Sequence, residues 1–98
     1  MYSTIKSIQL LTALLKKYNI NKLVLSPGGS AIPIIHSLEN DDFFECHSVV
    51  DERSAVYYGI GLAQQTKSPV ACICTSGTAV SNYLPGMTEA FYQDVPIV

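Results

Sequence analysis

The run Pro69-Val70-Ala71-Cys72-Ile73-Cys74-Thr75 carries no charge and no alternation of polar with apolar residues. A strand with one wet face alternates; a strand without alternation is covered on both faces, the habit of parallel sheets packed between helices. Lys22-Leu23-Val24-Leu25 is a shorter run of the same kind. Parallel neighbours need a long crossover, usually helical, so the segments around these runs must supply helices.

They do. Ile5, Ile8, Leu11, Leu14, Leu15 and Tyr18 recur at threes and fours, with Ser3 or Thr4 available as N-cap and Lys16-Lys17 suited to the negative end of the helix dipole. A second helix is predicted from Ala31 to about Leu38. Pro33 falls in its first turn, where a missing N–H is harmless. Asn40-Asp41-Asp42 breaks it, and residues 43–50 read as a strand with Glu45 and His47 on one face, which places it at an edge or beside a polar site. Residues 52–66 return to helix. Their inner stripe, Ala55, Gly59 and Ala63, is small, and a helical glycine costs about 1 kcal/mol against alanine, so something must pack very close. The stripe is expected to serve contact between subunits. Beyond Thr78 a further helix is expected, with Val80, Tyr83, Leu84, Met87 and Phe91 inward and a kink at Pro85. Val95-Pro96-Ile97-Val98 opens a fourth strand. The expected fold is α/β, a doubly wound parallel sheet with helices on both faces, truncated after the start of that strand.

A chain of 98 residues makes at most one compact unit. Only 14% of the residues are charged, against roughly 25% in ordinary domains, so some apolar surface is expected to meet a partner. The net charge is -2 and Lys16-Lys17 is an isolated basic pair, which argues against nucleic acid and anionic membrane. Ser7, Gln9 and Thr12 interrupt the N-terminal apolar residues, unlike a signal peptide, and no run approaches transmembrane length. Three cysteines do not make a secreted disulfide framework, and Cys72-x-Cys74 lacks the spacer of a structural zinc site that would draw on Cys46 and His47. The expected location is the cytoplasm.

In a doubly wound sheet, ligands sit beyond the C-terminal ends of the strands. Three strand-to-helix junctions fall there: Ser26-Pro27-Gly28-Gly29-Ser30, Asp51-Glu52-Arg53-Ser54 and Thr75-Ser76-Gly77-Thr78. The first and third are rich in glycine and hydroxyls at helix N-termini, where free N–H groups favour an anion or an electron-rich atom. Neither is a Walker A loop or a dinucleotide fingerprint, and each alone is an ordinary turn with a cap. Asp51 and Glu52 set carboxylates between those loops; a cap and a first-turn charge account for them equally well. Arg53 reads as an ion-pair partner, and His36 and His47 as structural. Ser76 lacks a nucleophile elbow, so a serine hydrolase has no support. On these residues alone, a small phosphate-binding protein and a non-catalytic α/β binding or dimerisation module stand open beside an enzyme.

Taken in order, Leu25-Ser26-Pro27-Gly28, Asp51-Glu52-Arg53-Ser54-Ala55 with Gly59-Ile60-Gly61-Leu62-Ala63, and Thr75-Ser76-Gly77-Thr78-Ala79-Val80-Ser81-Asn82-Tyr83-Leu84-Pro85 with Glu89-Ala90 resemble the thiamine-diphosphate-dependent enzymes over nearly the whole chain. The likeness is to their N-terminal pyrimidine-binding domain, and is greatest for the menaquinone-pathway branch. The resemblance implies a 2-oxo-acid decarboxylase or carboligase in which Glu52 is catalytic, hydrogen-bonding the aminopyrimidine ring of the cofactor. It implies that Pro27, Gly28, Glu52, Ser76, Gly77 and Thr78 bind thiamine diphosphate. It also implies a second copy of the chain, in a homodimer or tetramer, and a separate domain that holds the diphosphate and Mg2+, whose Gly-Asp-Gly to Asn motif does not occur in this sequence. The chain is then at most half of an active site, inactive alone. The branch's first loop usually reads Ser-Pro-Gly-Ser-Arg; here Gly29-Ser30 stands in those places, closer to the acetolactate synthase branch, which implies a weaker hold on a carboxylated acceptor.

Overall fold

The computed structural model describes residues 4–98. Helix α1 (Lys6–Lys17) leads into β1 (Lys22–Leu25); a 3-10 turn (Gly29–Ala31) runs into α2 (Ile32–Glu39); then come β2 (Glu45–Ser48), α3 (Glu52–Thr66), β3 (Val70–Ile73), α4 (Thr78–Ser81) and α5 (Leu84–Tyr92). The strands are parallel in the order β2-β1-β3. Residues 95–98 begin to pair beside β3: the Val98 N–H donates to the Val70 carbonyl and the Cys72 N–H to the Val98 carbonyl. This is the expected α/β fold, and β2 is at the edge of the described sheet.

Side chains alternate across a strand, so each strand feeds two cores. Leu23 and Leu25 of β1 and Ala71 of β3 meet Leu15 of α1 and Leu38 of α2 in one cluster, closed by Phe44. Val24 and Val70, one residue out of phase, meet Ala55 and Ala63 of α3 in another. Leu23 and Leu38 are fully buried, each worth about 1.5–3 kcal/mol of hydrophobic transfer. Lys16 joins the first layer from outside through an ion pair with Asp41, 2.7 Å long, which holds the Asp41 carboxyl below the usual carboxylate range.

Three expectations need correction. Helix α1 starts at Lys6 with Ile5 as N-cap and no side-chain cap, because the first helical bond, from the Gln9 N–H, ends on the Ile5 carbonyl. Thr4 is therefore not the cap, and Ser3 lies outside the described residues. The segment after Thr78 is two helices separated at Asn82-Tyr83, with Pro85 in the tolerant first turn of α5. Its inward face is also different. Val80, Leu84 and Phe91 are 55%, 68% and 75% exposed, whereas Ala79, Gly86 and Ala90 are buried. Close approach to α3 selects small residues there: a Cβ on Gly86 would stand 2.5 Å from Val56 Cγ1 and 2.6 Å from Val56 Cβ.

The small-residue stripe of α3 also departs from expectation. Ala55, Gly59 and Ala63 are buried inside this chain, and a Cβ on Gly59 would lie 3.1 Å from Cys72 Sγ of β3. Something does pack very close to the stripe, but it is the sheet of the same chain rather than a second subunit. Two glycine substitutions separate contact from propensity. Gly86→Ala forces a methyl into Val56 and is expected to destabilise by about 1–3 kcal/mol, the usual overpacking cost. Gly61→Ala has nothing within 4 Å of the added atom and is expected to stabilise by about 0.5–1 kcal/mol. Urea unfolding of the two variants beside the parent checks both signs.

Candidate functional site

The register aligns Leu25 with Ser48 on one side and with Ile73 on the other, so all three junctions leave from one edge of the sheet. Strand order reverses at β1, and the crevice between β1 and β3 is the place where such sheets hold ligands. Ser26, fully buried at the end of β1, ties both neighbours to it. Its N–H donates to the Ile73 carbonyl at 2.9 Å, and its Oγ donates to the Val49 carbonyl at 2.7 Å.

The first and third junctions also touch directly. Ser30 Oγ is hydrogen-bonded to Thr75 Oγ1 and accepts from the Ser76 N–H at 3.4 Å. The Gly28 backbone lies against Thr75, where a Cβ would come within 2.5 Å of Thr75 Cβ. Gly77 has φ +84°, a conformation that strains any residue with a side chain. Glycine at 28 thus answers to contact, and glycine at 77 to backbone geometry. Pro27, Ser76, Gly77 and Thr78 are exposed and Gly28 is half-buried.

At the second junction the two adjacent carboxylates separate. Asp51 is the N-cap of α3: the Ser54 N–H donates to Asp51 Oδ2 at 2.8 Å, and that bond holds the Asp51 carboxyl below its ordinary range. Glu52 is the first residue of the helix, half-buried, and its side chain makes no hydrogen bond or ion pair among the described residues. Its carboxylate is available to an external partner. Arg53 is exposed beside it.

Two polar residues under these loops had no role in the sequence reading. Ser26 looked like part of a turn; its signal was a hydroxyl placed directly after an apolar strand. Tyr83 was expected inward, as an apolar side chain. Its Oη is enclosed and unbonded among the described residues, with the Cys74 thiol and Ser26 hydroxyl beside it, and burial pushes the phenol well above its usual range. Burial, with Cys74 adding to it, also pushes the Cys72 thiol up to about 11, so it stays neutral and inert at neutral pH. Among the described residues no group of three or more His, Cys, Asp or Glu could hold a metal ion, and no helix is long and apolar enough to cross a membrane.

Comparison with known proteins gives this edge its family. Residues 5–98 match the model of the thiamine pyrophosphate enzyme N-terminal TPP binding domain. The 2-succinyl-5-enolpyruvyl-6-hydroxy-3-cyclohexene-1-carboxylate synthases of Phocaeicola vulgatus and Bacteroides thetaiotaomicron are 49% and 48% identical over all 98 residues. The chain spans 18% of the length of each. Among solved structures, benzoylformate decarboxylase from Polynucleobacter necessarius superposes with a TM-score of 0.80 at 22% identity, over 99% of this chain and 17% of that one. At that identity the likeness concerns the fold. The match over nearly every residue, with half of them identical to the bacterial synthases, shows that the chain belongs to the thiamine pyrophosphate enzyme family, as its N-terminal TPP-binding domain.

Proposed function

We propose that these 98 residues are the N-terminal part of the pyrimidine-binding domain of a thiamine-diphosphate-dependent carboligase acting in menaquinone synthesis, with Glu52 as the residue that activates the cofactor. The observation that carries this reading is the division of labour at the second junction. Asp51 is engaged in capping α3, whereas the adjacent Glu52 carboxylate, on the ligand-binding edge, has no partner among the described residues. A ring nitrogen of an aminopyrimidine is a fitting partner for it.

When bound, thiamine diphosphate supplies the thiazolium carbon that adds to a 2-oxo acid and the electron sink that lets the acid lose carbon dioxide. The chain's own part is to bind and to hold a proton. Glu52 would share a proton with the pyrimidine ring. Pro27 and Gly28 from the first junction, and Ser76, Gly77 and Thr78 from the third, would line the pocket, with the Ser30 to Thr75 bond fixing the distance between the two loops. The four-residue α4 after Gly77 is too short to offer a strong dipole to a phosphate, which leaves a small phosphate-binding protein without two anion-binding helix ends. Mg2+ and the diphosphate fall to a further domain, and the enzyme to a dimer or tetramer of the chain. The exposed Leu10, Leu84, Phe91 and Tyr92 support such contacts. Three free cysteines agree with the cytoplasm as the setting.

Ser30 stands where the branch resemblance implies an arginine, and its hydroxyl is already engaged with Thr75. The first loop therefore offers no cation to a carboxylated acceptor. In the full-length enzyme, decarboxylation of the 2-oxo acid is expected to be better preserved than transfer to that acceptor, which product analysis of the two reactions measures. The Glu52 assignment is tested by a pair of variants in the same protein. Glu52→Gln is expected to lower turnover by about a hundred- to ten-thousand-fold, the span typical of lost acid–base catalysis, while calorimetry still finds magnesium-dependent cofactor uptake. Asp51→Ala is expected to cost about 0.5–2 kcal/mol of stability and to leave most of the turnover of the folded enzyme intact. The opposite pattern would move the role to Asp51.

A further inference from the structure

Away from the junction loops, three polar side chains form a continuous hydrogen-bonded row between β2 and α3. His47 Nε2 is 2.7 Å from Glu45 Oε2, and Tyr58 Oη is 2.8 Å from His47 Nδ1. The imidazole and phenol rings are 5.4 Å apart and tilted by 49°. The hydrogen bond from His47 holds the Glu45 carboxyl below its ordinary range, so at neutral pH it is ionised and can only accept. That puts the proton of a neutral imidazole on Nε2 and leaves Nδ1 bare, to accept the Tyr58 O–H. Nucleophile, base and orienting carboxylate then stand in the order of a catalytic triad, with a phenol as the nucleophile.

Tyr58 is 46% exposed and sits on the rim of a shallow surface depression of about 420 Å3, lined with it by Tyr57, Gly61, Leu62, Gln64 and Gln65. Nothing stands within 4 Å of where a Gly61 Cβ would be, so the depression is open at its middle. The depression gives a small molecule access to the exposed Tyr58 side chain.

We propose that Tyr58 is a base-assisted nucleophile, a site of O-acylation by small activated acyl donors, with His47 as its base and Glu45 as the group that orients the base. The phenol oxygen forms the bond to the acyl carbon as its proton passes to His47 Nδ1. The bond from the acyl carbon to the leaving group breaks, and the leaving group takes the proton from the imidazolium. The products are the tyrosyl ester and the protonated leaving group, and His47 returns to its neutral form beside Glu45. This chemistry is separate from the cofactor reading and does not depend on it.

Tyr57 is a built-in control: adjacent on the same helix, 45% exposed, and without a hydrogen bond on its hydroxyl among the described residues. The full-length protein is treated with N-acetylimidazole, and peptide mass spectrometry follows acetylation of each tyrosine with time. Tyr58 is expected to react about tenfold faster than Tyr57, a modest share of the usual general-base effect. His47→Gln is expected to bring the two rates within about twofold of each other, and Glu45→Gln to fall between, since it loosens the tautomer but leaves the base. Unfolding of a variant would announce itself by a rise at Tyr57, in which case the parent ratio and Glu45→Gln decide. Equal rates at Tyr57 and Tyr58 in the parent, or a ratio unchanged in His47→Gln, would overturn the proposal.

Discussion

Ser26 is the point on which the site depends. It is buried at the end of the central strand and bonds to both neighbours at once, through its N–H to β3 and through its hydroxyl to the Val49 carbonyl on the way from β2 to α3. A buried hydroxyl without a partner costs about 1–3 kcal/mol, so Ser26 has a reason to hold that geometry. Because β1 is paired on both sides, a bond at its end fixes where the loops on either side begin. The three junctions are then parts of one edge rather than three independent turns.

The second constraint is close packing around α3. Gly59 lets the helix lie against Cys72 of the sheet, and Gly86 lets α5 lie against Val56, three residues from Gly59 on the same helix. Held close to both the sheet and α5, the helix has little room to slide or rotate. Its first residue is Glu52, and its N-cap bond from Ser54 to Asp51 holds the start of the helix in place. The position of one carboxylate thus follows from the close contacts at Val56 and Gly59 of its own helix and from one cap beside it.

Much of this was legible in the sequence, and for identifiable reasons. The unalternating run at β3 announced a parallel sheet, and the helix expected over residues 52–66 is α3 with the same bounds, although its left-handed end at Lys67 is visible only in the structure. The edge position of β2 followed from Glu45 and His47 on one face, which the structure shows as a hydrogen-bonded pair. What failed was the direction of helices whose packing is close. At α5 the bulky residues 84 and 91 suggested the inward face, but the contact with α3 admits only small ones, and periodicity of large residues does not detect a face made of Gly86 and Ala90. The same blindness turned the α3 stripe into an expected subunit contact. At the site, sequence placed Asp51 and Glu52 together but left their roles open; a cap bond is a matter of geometry, and only coordinates divide the two. The Tyr58 to His47 contact bridges eleven residues and two elements, beyond any local spacing rule.

On the proposed function, Glu52 governs the acid–base state of the bound cofactor. The measurement closest to that claim is the rate at which the proton on the thiazolium C2 of thiamine diphosphate exchanges with deuterium, read by NMR after acid quench in the full-length enzyme. With Glu52→Gln at saturating cofactor, exchange is expected to slow by about a hundredfold or more relative to the parent. Exchange at the parent rate in that variant, with the cofactor bound, would contradict the account.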